Sequence, residues 1–434
     1  MKIIEVFDGN KLHTLPVPYK CADQKCAFLG EDENEKDISV PLGSDLLSKH
    51  IMFLGGIGTG KTTAFTQVIS QLIDGITEED IMIIFDTKGD FYNTFKDKTH
   101  FGHVVISNDD TATGTNGVDY WNIFNEIPND GRMKENIIEI ANSLFEEKMK
   151  NTNQPFFPTA GKDMFGAVMR HFLSDKSITP RNNQSLKNFF DTTKPSEYRE
   201  MLDSHPDMRA FTSYIADDRS PQTQGVLSEL RQVTESIFIG NFEKAGTLSM
   251  RDLVRNKGGK VVFIEYDIGV GSMLSPIYSL LFDLAIKEAL CRKEGTRGNV
   301  YFITDEFRLL PNLLHIDNAV NFGRSLGVKF MIGIQNVEQI YECYGEQRAR
   351  SIMSGFLTSV AFRVNDASSR QHIKELHGQN RKMEIFTSKK GGGIVESMRE
   401  AYVVEDWDIS NLGIGKAIIG LPGAEPFKFK FKKT

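Results

Sequence analysis

Ile51-Met-Phe-Leu54-Gly55-Gly-Ile-Gly-Thr-Gly60-Lys61-Thr62-Thr63 runs from four apolar residues through a glycine-rich turn to a lysine and two hydroxyl side chains. From Gly55 to Thr62 it matches G-x-x-x-x-G-K-[ST], in which glycines let backbone N–H groups converge on phosphate oxygens at a helix N-terminus. The flanks suit that use. Residues 51–54 form a short buried strand, and residues 62–73 carry Phe65, Val68, Ile69 and Leu72 at helical spacing. ATP is therefore expected on Gly55, Gly56, Ile57, Gly58, Thr59, Gly60, Lys61, Thr62 and Thr63, with Lys61 reaching the β- and γ-phosphates and Thr62 ligating Mg²⁺.

Hydrolysis needs an acid for the metal and a base for water. Two apolar runs end in acids: residues 81–85 lead into Asp86-Thr-Lys-Gly-Asp90, and residues 300–304 lead into Asp305-Glu306. The second offers two adjacent carboxylates at a strand end, so Asp305 is assigned to Mg²⁺ through a water and Glu306 to the attacking water. Asp86 is left as a neighbouring acid or a cap on the turn before Gly89. Gln335, closing the run 328–334, is placed to report the state of the γ-phosphate. Arg324, before the turn at Gly327, is a candidate source of transition-state charge, with a surface ion pair as its alternative.

Working outward, residues 1–40 alternate short apolar stretches with turn residues and read as strands. From residue 131 apolar positions recur at helical spacing, as in Ile137, Ile138, Ala141, Leu144 and Phe145, and strand signals return only at Val261. The expected organisation is residues 1–130 as N-terminal strands and the first part of an NTPase domain, 131–250 as an inserted all-α domain, and 251–434 as the second part with C-terminal strands. Runs at 261–266, 300–304, 328–334 and 358–364 supply the remaining sheet, and residues 388–393, with Lys389 and Lys390, read as a solvated hairpin tip.

At 434 residues with 40% hydrophobic and 25% charged residues, the chain has ample core material and the balance of a folded protein. Its apolar runs are strand-length, and Glu5 interrupts the start where an export signal would continue, so no membrane span is expected and the location is read as cytoplasmic. Four scattered cysteines fit a reducing compartment better than a disulfide framework, and Cys21 and Cys26 lack a second pair or nearby histidines at zinc spacing. A net charge of -7 argues against a broadly basic nucleic-acid-coating surface, leaving room for a small basic channel.

Leu29-Gly30 and His50 ahead of the loop, Asp86-Thr-Lys-Gly-Asp90, Asp305-Glu306-Phe307, Gly323-Arg324 followed by Gln335, and Tyr344-Gly345 together resemble the TraG/TraD-like coupling ATPases of conjugation and type IV secretion, relatives of FtsK and HerA translocases. Phe156-Phe157 looks like the aromatic start of that family's all-α domain, with Phe157 where a Trp is usual. The resemblance implies a RecA-like P-loop NTPase of α/β class, with a mainly parallel central sheet and an inserted all-α domain. It also implies a homo-hexameric ring that hydrolyses ATP and moves DNA, with Arg324 acting in trans. Relaxosome or secretion-channel proteins are the implied partners. The alternatives are a nucleotide-gated receptor that recruits protein substrates, and a HerA/FtsK-like translocase outside secretion. Family members usually begin with membrane helices, whereas this chain starts near its first strands; a soluble member, a member docked at the inner face of the membrane through a separate protein, and a member whose anchor has been removed are the alternatives this leaves open.

Overall fold

The computed structural model describes residues 2–108, 120–128, 130–150, 152–387 and 394–433. Among these, the strands in chain order are β1 (Lys2–Asp8), β2 (Gln24–Glu31), β3 (Asp37–Gly43), β4 (Ile51–Leu54), β5 (Ile81–Asp86), β6 (His103–Ile106), β7 (Val261–Glu265), β8 (Val300–Thr304), β9 (Val328–Ile334), β10 (Thr358–Ala361), β11 (Gln379–Thr387), β12 (Ile394–Tyr402), β13 (Lys416–Gly420) and β14 (Phe427–Lys430).

Every residue of β4, β5, β7, β8 and β9 is buried, which is what continuous apolar runs require in a parallel sheet covered on both faces. The central sheet has the order β14-β13-β10-β4-β9-β8-β5-β7-β6. It is parallel from β10 to β6, and β13 and β14 close it antiparallel. Alternate side chains serve separate cores. Ile81, Ile83 and Phe85 join Leu274, Ile277 and Leu281 of the helix Gly271–Leu290, whereas Met82 and Ile84 join Phe65, Val68 and Ile69 of the helix Lys61–Asp74. β1, β11 and β12 form a separate antiparallel sheet, and β2 pairs with β3.

Between β6 and β7 the described residues form the helices Met133–Lys150, Phe156–Ser174, Asn183–Thr192, Pro195–Asp203, Pro221–Ile237 and Met250–Asn256. This all-α insertion shares a core with one face of the sheet. Its neck is pinned where Leu248 N donates to Tyr120 O (3.0 Å) and Asn122 N donates to Leu248 O (2.9 Å). Buried Glu126 accepts from Met250 N (2.6 Å), Arg251 N (3.2 Å) and Trp121 Nε1 (2.8 Å), so a carboxylate inside the protein is satisfied by donors of the neck and the last helix.

Two expectations shift. The helical run extends to Asn256, and the strand anticipated over residues 358–364 ends at Ala361 as β10. The hairpin tip 388–393, with Lys389 and Lys390, lies outside the described residues, while its flanks β11 and β12 pair from Gln379↔Tyr402 to Thr387↔Ile394. Among the described residues no helix is long and apolar enough to cross a membrane.

Candidate functional site

β4, β9 and β8 are consecutive in the sheet and parallel, with Leu54 opposite Ile334 and Ile332 opposite Thr304. Their C-terminal ends deliver Gly55, Gln335 and Asp305-Glu306 to one edge, the edge at which open α/β sheets bind ligands. Gly55 N donates to Ile334 O and Gly56 N to Arg363 O, both at 3.1 Å, and Gly415 N donates to Thr59 O at 2.9 Å, so the loop is held from both sides. Gly60 has φ 109°, and a Cβ there would sit 3.0 Å from Gly415 Cα. The turn therefore demands glycine.

The helix Lys61–Asp74 begins directly after Gly60 with no side-chain cap, leaving its first N–H groups available to an anion. Lys61 Nζ donates to Gly55 O and to Ile334 O (3.2 Å for the latter). Burial lowers its pKa, while Glu306 and Asp305 oppose the shift. Thr62 is exposed beside it, and Ile57 at the tip of the loop is 86% exposed.

Burial raises the Asp305 carboxyl to about 6, with Asp86 and Glu306 adding like charge and the Thr87 hydroxyl working against the shift. That hydroxyl donates to Asp305 Oδ1 at 3.2 Å. Asp86 is buried, accepts from Tyr92 N at 2.8 Å, and caps the turn at Lys88-Gly89, the structural reading open to it from sequence. β9 approaches the acids closely because residue 333 is glycine: a Cβ there would lie 2.4 Å from Asp305 O. The Thr62 hydroxyl and the Asp305 carboxylate are hard oxygen donors near Lys61, a set that fits Mg²⁺ carried in on a phosphate.

Gln335 Nε2 donates to Glu306 Oε2 at 2.5 Å, and Arg308 Nε donates to Glu306 Oε1 at 3.0 Å. Lys61, Asp305, Glu306 and Gln335 are thus brought together. Arg324 is not. It precedes β9 at the opposite edge of the sheet, roughly 20 Å away at ~3.3 Å per residue, where it pairs with Asp45 at 2.7 Å. Both partners are about three-fifths exposed, so this pair adds little stability. Sequence reasoning missed Arg308 and Thr87. Arg308 carried a signal, standing two residues after Glu306, whereas the contact of Thr87 depends on sheet order.

His50 is buried, its Nδ1 accepting from Phe330 N at 3.0 Å, and burial depresses its pKa to about 4. Away from the loop, Glu139, Asp283 and His315 place ligand-type atoms within 4.8 Å of one another. Both His315 nitrogens already face carboxylates and Lys287 pairs with Glu139, so these charges satisfy one another as an ion network joining the insertion to the helix Gly271–Leu290.

Residues 37–401 match the family model for the type IV secretion-system coupling protein DNA-binding domain. Coupling protein TraD of Escherichia coli is 21% identical over 424 residues, covering 92% of this chain and 55% of TraD. The type IV secretion system-coupling protein VirD4 of Bartonella henselae is 22% identical over 413 residues, covering 88% of this chain and 62% of VirD4. The chain thus spans a little over half the length of these relatives. The plasmid coupling protein TrwB in complex with ADP and Mg²⁺ superposes with a TM-score of 0.72 at 19% identity, over 91% of this chain and 87% of TrwB. In complex with the non-hydrolysable ATP analogue ADPNP it gives a TM-score of 0.74 at 18% identity, over 99% and 95%. These likenesses carry the fold, a RecA-like P-loop NTPase. With the family model spanning residues 37–401 of 434, the chain belongs to the type IV secretion-system coupling protein DNA-binding domain family.

Proposed function

We propose that this chain is an ATP-hydrolysing motor that moves DNA for conjugative transfer or type IV secretion, working as a ring of identical copies. The observation that carries the reading is the meeting of Lys61, Asp305, Glu306 and Gln335 at the ends of three adjacent strands, around an uncapped helix N-terminus. The loop from Gly55 to Thr63 holds the triphosphate, Lys61 exchanging its two carbonyl partners for β- and γ-phosphate oxygens. Thr62 directly, and Asp305 through a water, would hold Mg²⁺, whose charge would neutralise that of the phosphates. Glu306 orients the attacking water and takes its proton, and Gln335, bonded to Glu306, couples that carboxylate to β9.

Arg324 lies too far from its own chain's site to touch phosphate there, so any catalytic use of it comes from a neighbouring copy, as arginine fingers act in trans. This favours a head-to-tail ring. The family's DNA-binding description supports DNA as the cargo, and TrwB, a structural relative, was solved with ADP and Mg²⁺ and with ADPNP. A cytoplasmic motor docked at the inner face of the membrane through a partner completes the proposal.

The test is steady-state ATP hydrolysis by the full chain, with Mg²⁺, against single- and double-stranded DNA at low and moderate salt. DNA should stimulate the rate, and Lys61→Ala should abolish it. A rate indifferent to both DNA forms at low salt, where phosphate contacts are strongest, removes the DNA-motor reading.

A further inference from the structure

The turn after β8 carries a side chain that this assignment of roles leaves unused. With Arg308 on Oε1 and Gln335 on Oε2, both oxygens of the Glu306 carboxylate are engaged. The backbone around Arg308 is anchored. Phe307 is fully buried, its ring stacked on Tyr344 with centroids 5.6 Å apart, and the Tyr344 hydroxyl donates to Leu310 O at 2.5 Å. Cys343 Sγ donates to the Arg308 carbonyl at 3.4 Å. The side chain on this fixed stem is 46% exposed, and among the described residues Glu306 is its ion-pair partner. It is a free-ended arm resting on the carboxylate assigned to water.

A general base needs an oxygen within hydrogen-bond reach of the proton it takes. Charge-assisted donors on both oxygens fix the carboxylate plane, so it cannot turn to meet a water without giving one of them up. We infer that Arg308 is a positioning residue that restrains Glu306: turnover requires the guanidinium to leave Oε1. This inference rests on the hydrolytic reading of the same site. Once released, Oε1 accepts the proton of the water whose oxygen bonds to the γ-phosphorus, while the bond from that phosphorus to the departing ADP oxygen breaks.

Gln335 directly follows β9, and the helix Glu338–Tyr344 after it supplies Cys343 and Tyr344, which anchor the turn of Arg308.

The experiment measures kcat and KM for MgATP on the full chain, comparing wild type with Arg308→Ala, Arg308→Lys, Glu306→Gln and the double variant Arg308→Ala/Glu306→Gln, after melting curves confirm folding. Loss of one charge-assisted hydrogen bond should raise kcat of Arg308→Ala about fivefold without DNA, leaving KM unchanged. Arg308→Lys, which keeps a cation, should stay near wild type, and both Glu306→Gln proteins should be inactive. Turnover of Arg308→Ala at or below a measurable wild-type rate overturns the restraint alone. A double variant as fast as Arg308→Ala overturns it too, because the rate would not pass through Glu306. MgATP binding with no hydrolysis by wild type or Arg308→Ala overturns the hydrolytic reading and the restraint with it.

Discussion

Gly333→Ala tests whether the spacing between β8 and β9 sets the geometry of the acids. A methyl there would meet Asp305 O at 2.4 Å, Asp305 C at 2.9 Å and Asp305 Cα at 3.0 Å, all backbone atoms that no rotamer change can move. Restoring ordinary contact near 3.5 Å requires the two segments to part by about 1 Å. Overpacking of this kind costs roughly 1–3 kcal/mol of stability. Displacing the Asp305-Glu306 pair by ~1 Å from Lys61 is expected to slow chemistry on the order of 10²-fold. Gly166→Ala is the internal comparison: its added methyl meets Ile137 Cγ2 at 3.6 Å inside the helix Phe156–Ser174, so it should gain about 0.5–1 kcal/mol. The assays are urea unfolding and steady-state MgATP hydrolysis, with nucleotide affinity measured alongside. Gly333→Ala should lose stability and lose rate by more than it loses affinity. A Gly333→Ala protein with wild-type unfolding midpoint and wild-type turnover would refute the argument.

Two further predictions concern protons. His50 is held neutral by burial, its pKa about 4 against an ordinary 6.5, so the unfolded chain binds the extra proton between those values and stability falls as pH drops through that window. At pH 5 the loss from His50 is about 2 kcal/mol relative to neutral pH; urea titrations of His50→Gln should show a fall from pH 7.5 to pH 5 smaller than that of wild type by about this amount, and an identical fall would exclude His50 as the source. Asp305 is shifted the other way, to about 6, so on the proposed assignment Mg²⁺ would have to displace a proton from it below that pH. Calorimetric MgADP affinity should weaken below about pH 6 by up to roughly tenfold per pH unit, and Asp305→Asn should flatten this dependence; an equal slope in the variant would show that the proton comes from elsewhere.

What was legible in the sequence was whatever chemistry is local. The loop from Gly55 to Thr62 is contiguous, its glycines are demanded by backbone geometry at Gly60, and apolar runs buried on both faces announce β4, β5, β8 and β9 before any pairing is known. Asp305-Glu306 was visible because strand ends expose their next residues along one edge. The order β4-β9-β8-β5 was not legible, because non-local pairing sets it, and the contact of Thr87 with Asp305 follows only from that order. Arg308 was passed over because an arginine in a short turn is ordinarily a solvated surface group; its meaning comes from the Tyr344 and Cys343 anchors more than thirty positions away. The pairing of Arg324 with Asp45 joins segments 279 residues apart. Helix ends were blurred for a simpler reason: apolar periodicity marks a helix's buried face and not its terminal turn, so Met250–Asn256 escaped the expected boundary.

The central claim is a site shared between copies, and mixing two inactive proteins tests it most directly. Lys61→Ala retains Arg324 and lacks a working loop, while Arg324→Ala retains the loop, Asp305, Glu306 and Gln335. Each alone should show negligible MgATP hydrolysis, with Arg324→Ala still binding nucleotide. In a randomly assembled equimolar mixture about one interface in four pairs an intact loop with an intact arginine, so hydrolysis should return to roughly a quarter of the wild-type rate if interfaces act independently. A mixture no more active than the sum of its two components, under conditions where the copies co-assemble, would contradict the account.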